Sequence, residues 1–233
     1  MAQNLSGKKL GIIHAALITT RAVQRYLDEI IPDVETVHWV DDTIQNTNFA
    51  CPPGTIPPGN YAKFTQAALS QQDYGVDLIL LACSTFNRAV EYAQPMIRTP
   101  MLQIDRPMMD LAVRHGSRIG LVATVPTTVP ASERLLRLAA TAAGKTVEIR
   151  TRLCSDAFVA LKAGQVEKHN ELLLGEIDRL SGEVDAIVLA QLSMSALEPR
   201  LASTKVPVYN SGRTAFTHIR RFLEGASATP GGL

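Results

Sequence analysis

The stretch "DLILLACSTFN", residues 77 to 87, decides how this chain is read. An acidic residue opens an apolar run, and the run stops at Cys83, followed by two hydroxyl side chains. A second stretch, "DAIVLAQLSMS" at residues 185 to 195, has the same shape with Gln191 where the cysteine stood. Both runs are continuously apolar rather than alternating, the pattern of a strand buried on both faces of a parallel sheet.

The likeness extends along the chain. Gly11 and Gly120, Asp77 and Asp185, Cys83 and Gln191, and Pro100 and Pro207 recur in one order at separations of 107 to 109 residues. Such a period marks an internal duplication. The runs "KLGIIH", "VETVHWV", "DLILLAC" and "PMLQI" read as strands of one half, and "RIGLVAT", "TVEIRTRL", "DAIVLAQ" and "VPVYNS" as those of the other. Between them "TTRAVQRYLDEII", "NYAKFTQAALSQQ", "SERLLRLAATAAG" and "QVEKHNELLLGEIDRLSG" have helical spacing. The expected fold is α/β: two pseudo-symmetric Rossmann-like halves, each a four-stranded parallel sheet flanked by helices. Residues 1–105 with 210–233 form the expected first half, carrying Cys83, and 106–209 the second, carrying Gln191.

Ligands of open parallel sheets gather beyond the carboxyl ends of the strands. Two halves related by a pseudo-twofold would face those ends across one cleft. The duplication therefore puts the active site between the halves, with residues 83 and 191 opposed.

Composition narrows the function. A net charge of +1 provides no general field for nucleic acid or an anionic membrane. No apolar run approaches the roughly 20 residues needed to cross a bilayer, and the first residues lack a secretory pattern. Cys51, Cys83 and Cys154 are odd in number and far apart, which argues for a reducing, cytoplasmic setting rather than a disulfide framework. No cysteine pair has zinc spacing, and no dinucleotide or P-loop fingerprint occurs, so no metal and no cofactor is expected. The tail "EGASATPGGL" reads as frayed.

In "ACSTFNRAVEYA" a strand gives way to a turn and then to a helix expected near residue 86. A cysteine there stands beside unpaired N–H groups and the positive end of a helix dipole, both of which favour thiolate. The N–H groups and hydroxyls of Ser84 and Thr85 form a cradle suited to a carboxylate. The plainer alternative is a buried cysteine acting as a small hydrophobe.

These duplicated halves, with "ACST" closing a strand in the first, resemble the aspartate/glutamate racemase superfamily, which includes hydantoin racemases, maleate isomerases and arylmalonate decarboxylase. The resemblance covers nearly the whole chain. Its first-half motif of Cys, Asn or Ser, then Thr is matched by Cys83, Ser84 and Thr85. Its "ATxGT" segment is similar to "ATVPT", which carries Thr124 and Thr127 over, with Pro126 in place of glycine. The resemblance implies a cofactor-independent enzyme that binds a substrate carboxylate through these hydroxyls and amides, and a homo-oligomer.

The departure lies in the second half. The family motif there is Gly-Cys-Thr, and this chain has Ala190, Gln191 and Leu192. Glutamine hydrogen-bonds but is no acid or base near neutral pH. Racemisation by two opposed thiols is unavailable to this pair. Three one-thiol chemistries remain: a racemase or epimerase with a non-cysteine partner, an isomerase using Cys83 as nucleophile on an activated double bond, and a decarboxylase protonating an enediolate from one face. In each, the Ser84, Thr85 and Thr127 side stabilises oxyanion charge. A different class, a non-catalytic carboxylate-binding protein, is the remaining alternative.

Further expected substrate contacts are His14, at the end of the first strand, Gln191, Leu192 and one of Ser193 and Ser195. Cys51 lies in the Pro/Gly-rich "NFACPPGTIPPGN", a stretch suited to a lid. Cys154 reads as structural, and His38, His115, His169 and His218 as surface or packing residues. Asn210 and Ser211 end the last strand as caps or ligands.

Overall fold

Strands and helices alternate along the chain, and all the strand pairing is parallel. The structure, a computed structural model, describes residues 4–52 and 55–225. One sheet holds β1 (Lys9–His14), β2 (Glu35–Val40), β3 (Leu78–Leu81) and β4 (Met101–Gln103) in the order β2-β1-β3-β4. The other holds β5 (Arg118–Ala123), β6 (Glu148–Leu153), β7 (Ala186–Leu189) and β8 (Val208–Asn210) in the order β6-β5-β7-β8. Every expected strand is present, and the central β1, β3, β5 and β7 are almost wholly buried, as continuous apolar runs require.

The four repeated landmarks do the same work in each half. Asp77 accepts from the Lys9 N–H at 2.8 Å and Asp185 from the Arg118 N–H at 2.9 Å, so each aspartate fastens the start of the neighbouring central strand. The Pro100 and Pro207 carbonyls each accept from a strand N–H, of Ile79 and Ile187, at 2.9 Å. A Cβ on Gly120 would lie 2.5 Å from Leu180 Cδ2, and one on Gly11 would collide with Gln71. Glycine thus lets a helix pack close on each central strand.

Helices α1 (Ile18–Ile30), α3 (Pro58–Tyr74), α6 (Thr128–Ala142) and α8 (Val166–Ser181) fall where their spacing predicts, with α6 opening four residues earlier. Among the described residues there are five more α-helices: α2 (Asp42–Phe49), α4 (Ala89–Ala93), α5 (Arg106–His115), α7 (Ser155–Lys162) and α9 (Ser211–Leu223). Two of these cross over. Met108, Met109, Ala112 and Val113 of α5 join the core of the second sheet, while Ala215, Phe216 and Ile219 of α9 join α1 in the core of the first.

The halves are tied together by the segments that follow β3 and β5. Thr85 and Thr128 share a hydroxyl hydrogen bond at 3.1 Å, the Asn87 amide donates to the Ala131 carbonyl, and Arg134 grips both oxygens of Glu91. No helix among the described residues is long and apolar enough to cross a membrane. Residues 226–233 of the small, polar tail lie outside the described part.

Candidate functional site

A cavity of about 420 Å³ opens between the two sets of strand ends, and Cys83 and Gln191 both line it. With them stand Ser84, Thr85, Leu192 and Ser193 from the same loops and Val125 and Thr128 from the loop after β5. The outer walls come from α2 and α7, whose Phe49 and Phe158 rings approach to 6.4 Å between centroids across the mouth.

Cys83 is half-buried and its thiol is not predisposed to ionise. Burial pushes its pKa up to about 11, although the backbone N–H groups of Phe86 and Thr85 pull the other way, and the charge of Asp105 raises it further. This corrects the expectation of a stabilised thiolate. The helix also starts at Ala89 rather than near residue 86 and is only five residues long, so the polarised amides of the turn act alone.

Gln191 does more than replace a thiol. Its Oε1 accepts from the Thr124 N–H at 2.5 Å, the Thr124 hydroxyl at 2.9 Å and the Val125 N–H at 3.3 Å. The Thr124 and Val125 donors at the start of the loop after β5 are therefore occupied by the chain itself. Thr124 is buried beneath Gln191 and does not line the cavity. Thr127 does not line it either: it borders a separate pocket, and the neighbouring Thr128 faces the site.

His14 is a further correction. Its ring is fully buried, with Nδ1 2.7 Å from the Thr19 hydroxyl and Nε2 3.0 Å from His38 Nδ1, and it does not line the cavity. Alternation along β1 puts residues 10, 12 and 14 on one face, and Leu10 and Ile12 pack beneath α1, so His14 follows them. Burial, with the neighbouring His38, lowers its pKa to about 4 and keeps it neutral. Cys51 does not line the cavity, and residues 53–54 of its loop lie outside the described part. Ser193 reaches the cavity, whereas Ser195 is buried against Asn210. Asn210 caps α9 by accepting from the Arg213 N–H.

The sequence reading passed over Asp105. It follows β4, is fully buried, and has no well-formed hydrogen bond to either carboxylate oxygen. Burial raises its pKa to about 7, moderated by the hydroxyls of Ser84 and Ser211 that lie against it. Phe49 and Phe158 were also missed, because α2 and α7 carry no strong periodic signal.

Comparison with known proteins agrees with this architecture. Residues 10–219 match the family described as Asp/Glu/Hydantoin racemase. Among solved structures, an aspartate racemase from Picrophilus torridus superposes with TM-score 0.69 at 18% identity, covering 94% of this chain and 95% of its own. An allantoin racemase from Klebsiella pneumoniae gives 0.67 at 18%, covering 96% and 90%. Glutamate racemase isoform RacE1 from Bacillus anthracis gives 0.68 at 15%, covering 97% and 86%. A sequence search of curated proteins found no match. With the family match spanning nearly the whole chain and the fold shared with three racemases, the chain belongs to the Asp/Glu/hydantoin racemase family.

Proposed function

We propose that this protein is a cofactor-independent enzyme of the racemase and isomerase type, acting on a small carboxylate through proton transfer at Cys83. Family membership supports the reaction type. The observation that carries the residue assignment is that Cys83 and Gln191 face one cavity from opposite halves, and of these two only Cys83 can exchange a proton. The thiol approaches one face of the substrate α-carbon. Hydroxyls of Ser84, Thr85, Thr128 and Ser193 and the amides of the β3 turn supply donors for the carboxylate as it takes on enediolate charge.

Gln191 favours a second reading, a one-thiol decarboxylase or lyase. A fixed carboxamide opposite a thiol that remains protonated suits delivery of a single proton to a carbanion. Single enantiomers of 2-substituted carboxylates, and substituted malonates, would be incubated with wild type and Cys83→Ser, with chiral chromatography and CO₂ release as readouts. Turnover should fall roughly 100- to 10,000-fold in the variant, the size of a proton-transfer contribution. Inversion identifies the racemase reading, and CO₂ release with one enantiomer formed identifies the second. Turnover that survives Cys83→Ser would overturn the assignment.

A further inference from the structure

We infer that the site accepts a carboxylate bearing an apolar substituent in preference to a dicarboxylate, an inference that rests on the proposed reading of this cavity as the carboxylate site. A pseudo-twofold site offers two donor loops, one after β3 and one after β5. The donors at the start of the second are already taken, because Gln191 Oε1 accepts from the Thr124 N–H, the Thr124 hydroxyl and the Val125 N–H. A second substrate carboxylate could bind there only by displacing an oxygen with three donors and leaving the Gln191 carbonyl without them.

The remaining wall is predominantly apolar, with Thr19, Gln45 and Asn46 as its uncharged polar members. Leu17 and Ile18 at the start of α1, Phe49 of α2, and Phe158 and Leu161 of α7 all line it. A carboxylate pressed against them would lose its water with no partner in exchange, whereas a branched alkyl or aryl group would leave water for a surface of its own kind. The rim carries one charge of each sign, Asp42 and Lys162, both exposed, and the Lys162 ammonium lies over the Phe158 ring at 5.7 Å. Neither rim charge lies deep enough to create a second buried anion site.

The test compares 4-methylpentanoate with glutarate, which share a five-carbon main chain and differ in a branched apolar end against a second carboxylate. Each is titrated as a protectant of Cys83 against iodoacetamide in mildly alkaline buffer. Peptide mass spectrometry separates Cys83 from Cys51 and Cys154. In wild type, 4-methylpentanoate should protect at a concentration about ten-fold or more below glutarate. Gln191→Ala frees the Thr124 and Val125 donors and should improve glutarate selectively, while Phe158→Ala should weaken 4-methylpentanoate selectively. Equal protection by the two acids in wild type overturns the inference and leaves the carboxylate site standing. Protection by neither overturns both.

Discussion

Cys83 and Asp105 follow the ends of neighbouring strands β3 and β4, each two residues beyond the paired Leu81 and Gln103. The carboxyl is fully buried, and its charge works against ionisation of the thiol. Burial is the main reason a cysteine beside backbone N–H groups is nonetheless held as a thiol, and the Asp105 charge adds to it. A group that must hand a proton to a carbanion benefits from that arrangement, whereas a nucleophile does not.

Removing the charge should therefore sharpen the thiol. Asp105→Asn keeps the shape and deletes the anion, so the Cys83 pKa should fall. Carbamidomethylation of Cys83 at mildly alkaline pH should become several-fold faster than in wild type. An unchanged or slower rate would mean that Asp105 does not act electrostatically on Cys83.

The same carboxyl should make folding depend on pH. Its pKa is about 7 in the folded chain against 3.8 unfolded, so between those values the folded state holds a proton that the unfolded state has released. Stability from this group is complete below about pH 4 and is lost as pH rises through about 7, by roughly 4 kcal/mol at most. The stability gap between Asp105→Asn and wild type, from urea unfolding, should move in favour of the variant from acid to mildly alkaline pH. A constant gap would contradict the assignment.

Glycine at the matched positions is a packing requirement. Gly120→Ala would bring a methyl group to 2.5 Å from Leu180 and 3.1 Å from Ile187, both buried, and should cost about 1–3 kcal/mol in chemical denaturation. A loss of under a few tenths would show that α8 moves away freely.

The sheets, their parallel pairing and the pairing of Cys83 with Gln191 were legible because they rest on short-range patterns: buried apolar runs, and the same acid and proline flanking them in each half. Helices α2, α5, α7 and α9 were not. The polar, Asn- and Thr-rich "DTIQNTNF" of α2 has weak helical preference, and α5 carries a proline at its second position, four residues after β4 ends. Asp105 escaped because its role depends on the register of β3 against β4, which no single segment encodes. The register does offer a signal: polar residues two positions past paired strand ends lie side by side. The motif resemblance points to Thr127 and carries no signal for Thr128, the threonine that lines the site. His14 was assigned to the cleft from its place at a strand end, whereas strand alternation carries its ring under α1.

The central claim is that Cys83 carries the proton, and α-proton exchange in D₂O tests it most directly. Wild type and Cys83→Ser would be incubated with 2-substituted carboxylates spanning apolar and acidic substituents, and deuterium at the α-carbon followed by NMR. The account predicts deuterium incorporation by wild type that is lost in Cys83→Ser while the variant remains folded. Equal incorporation by both proteins would contradict it.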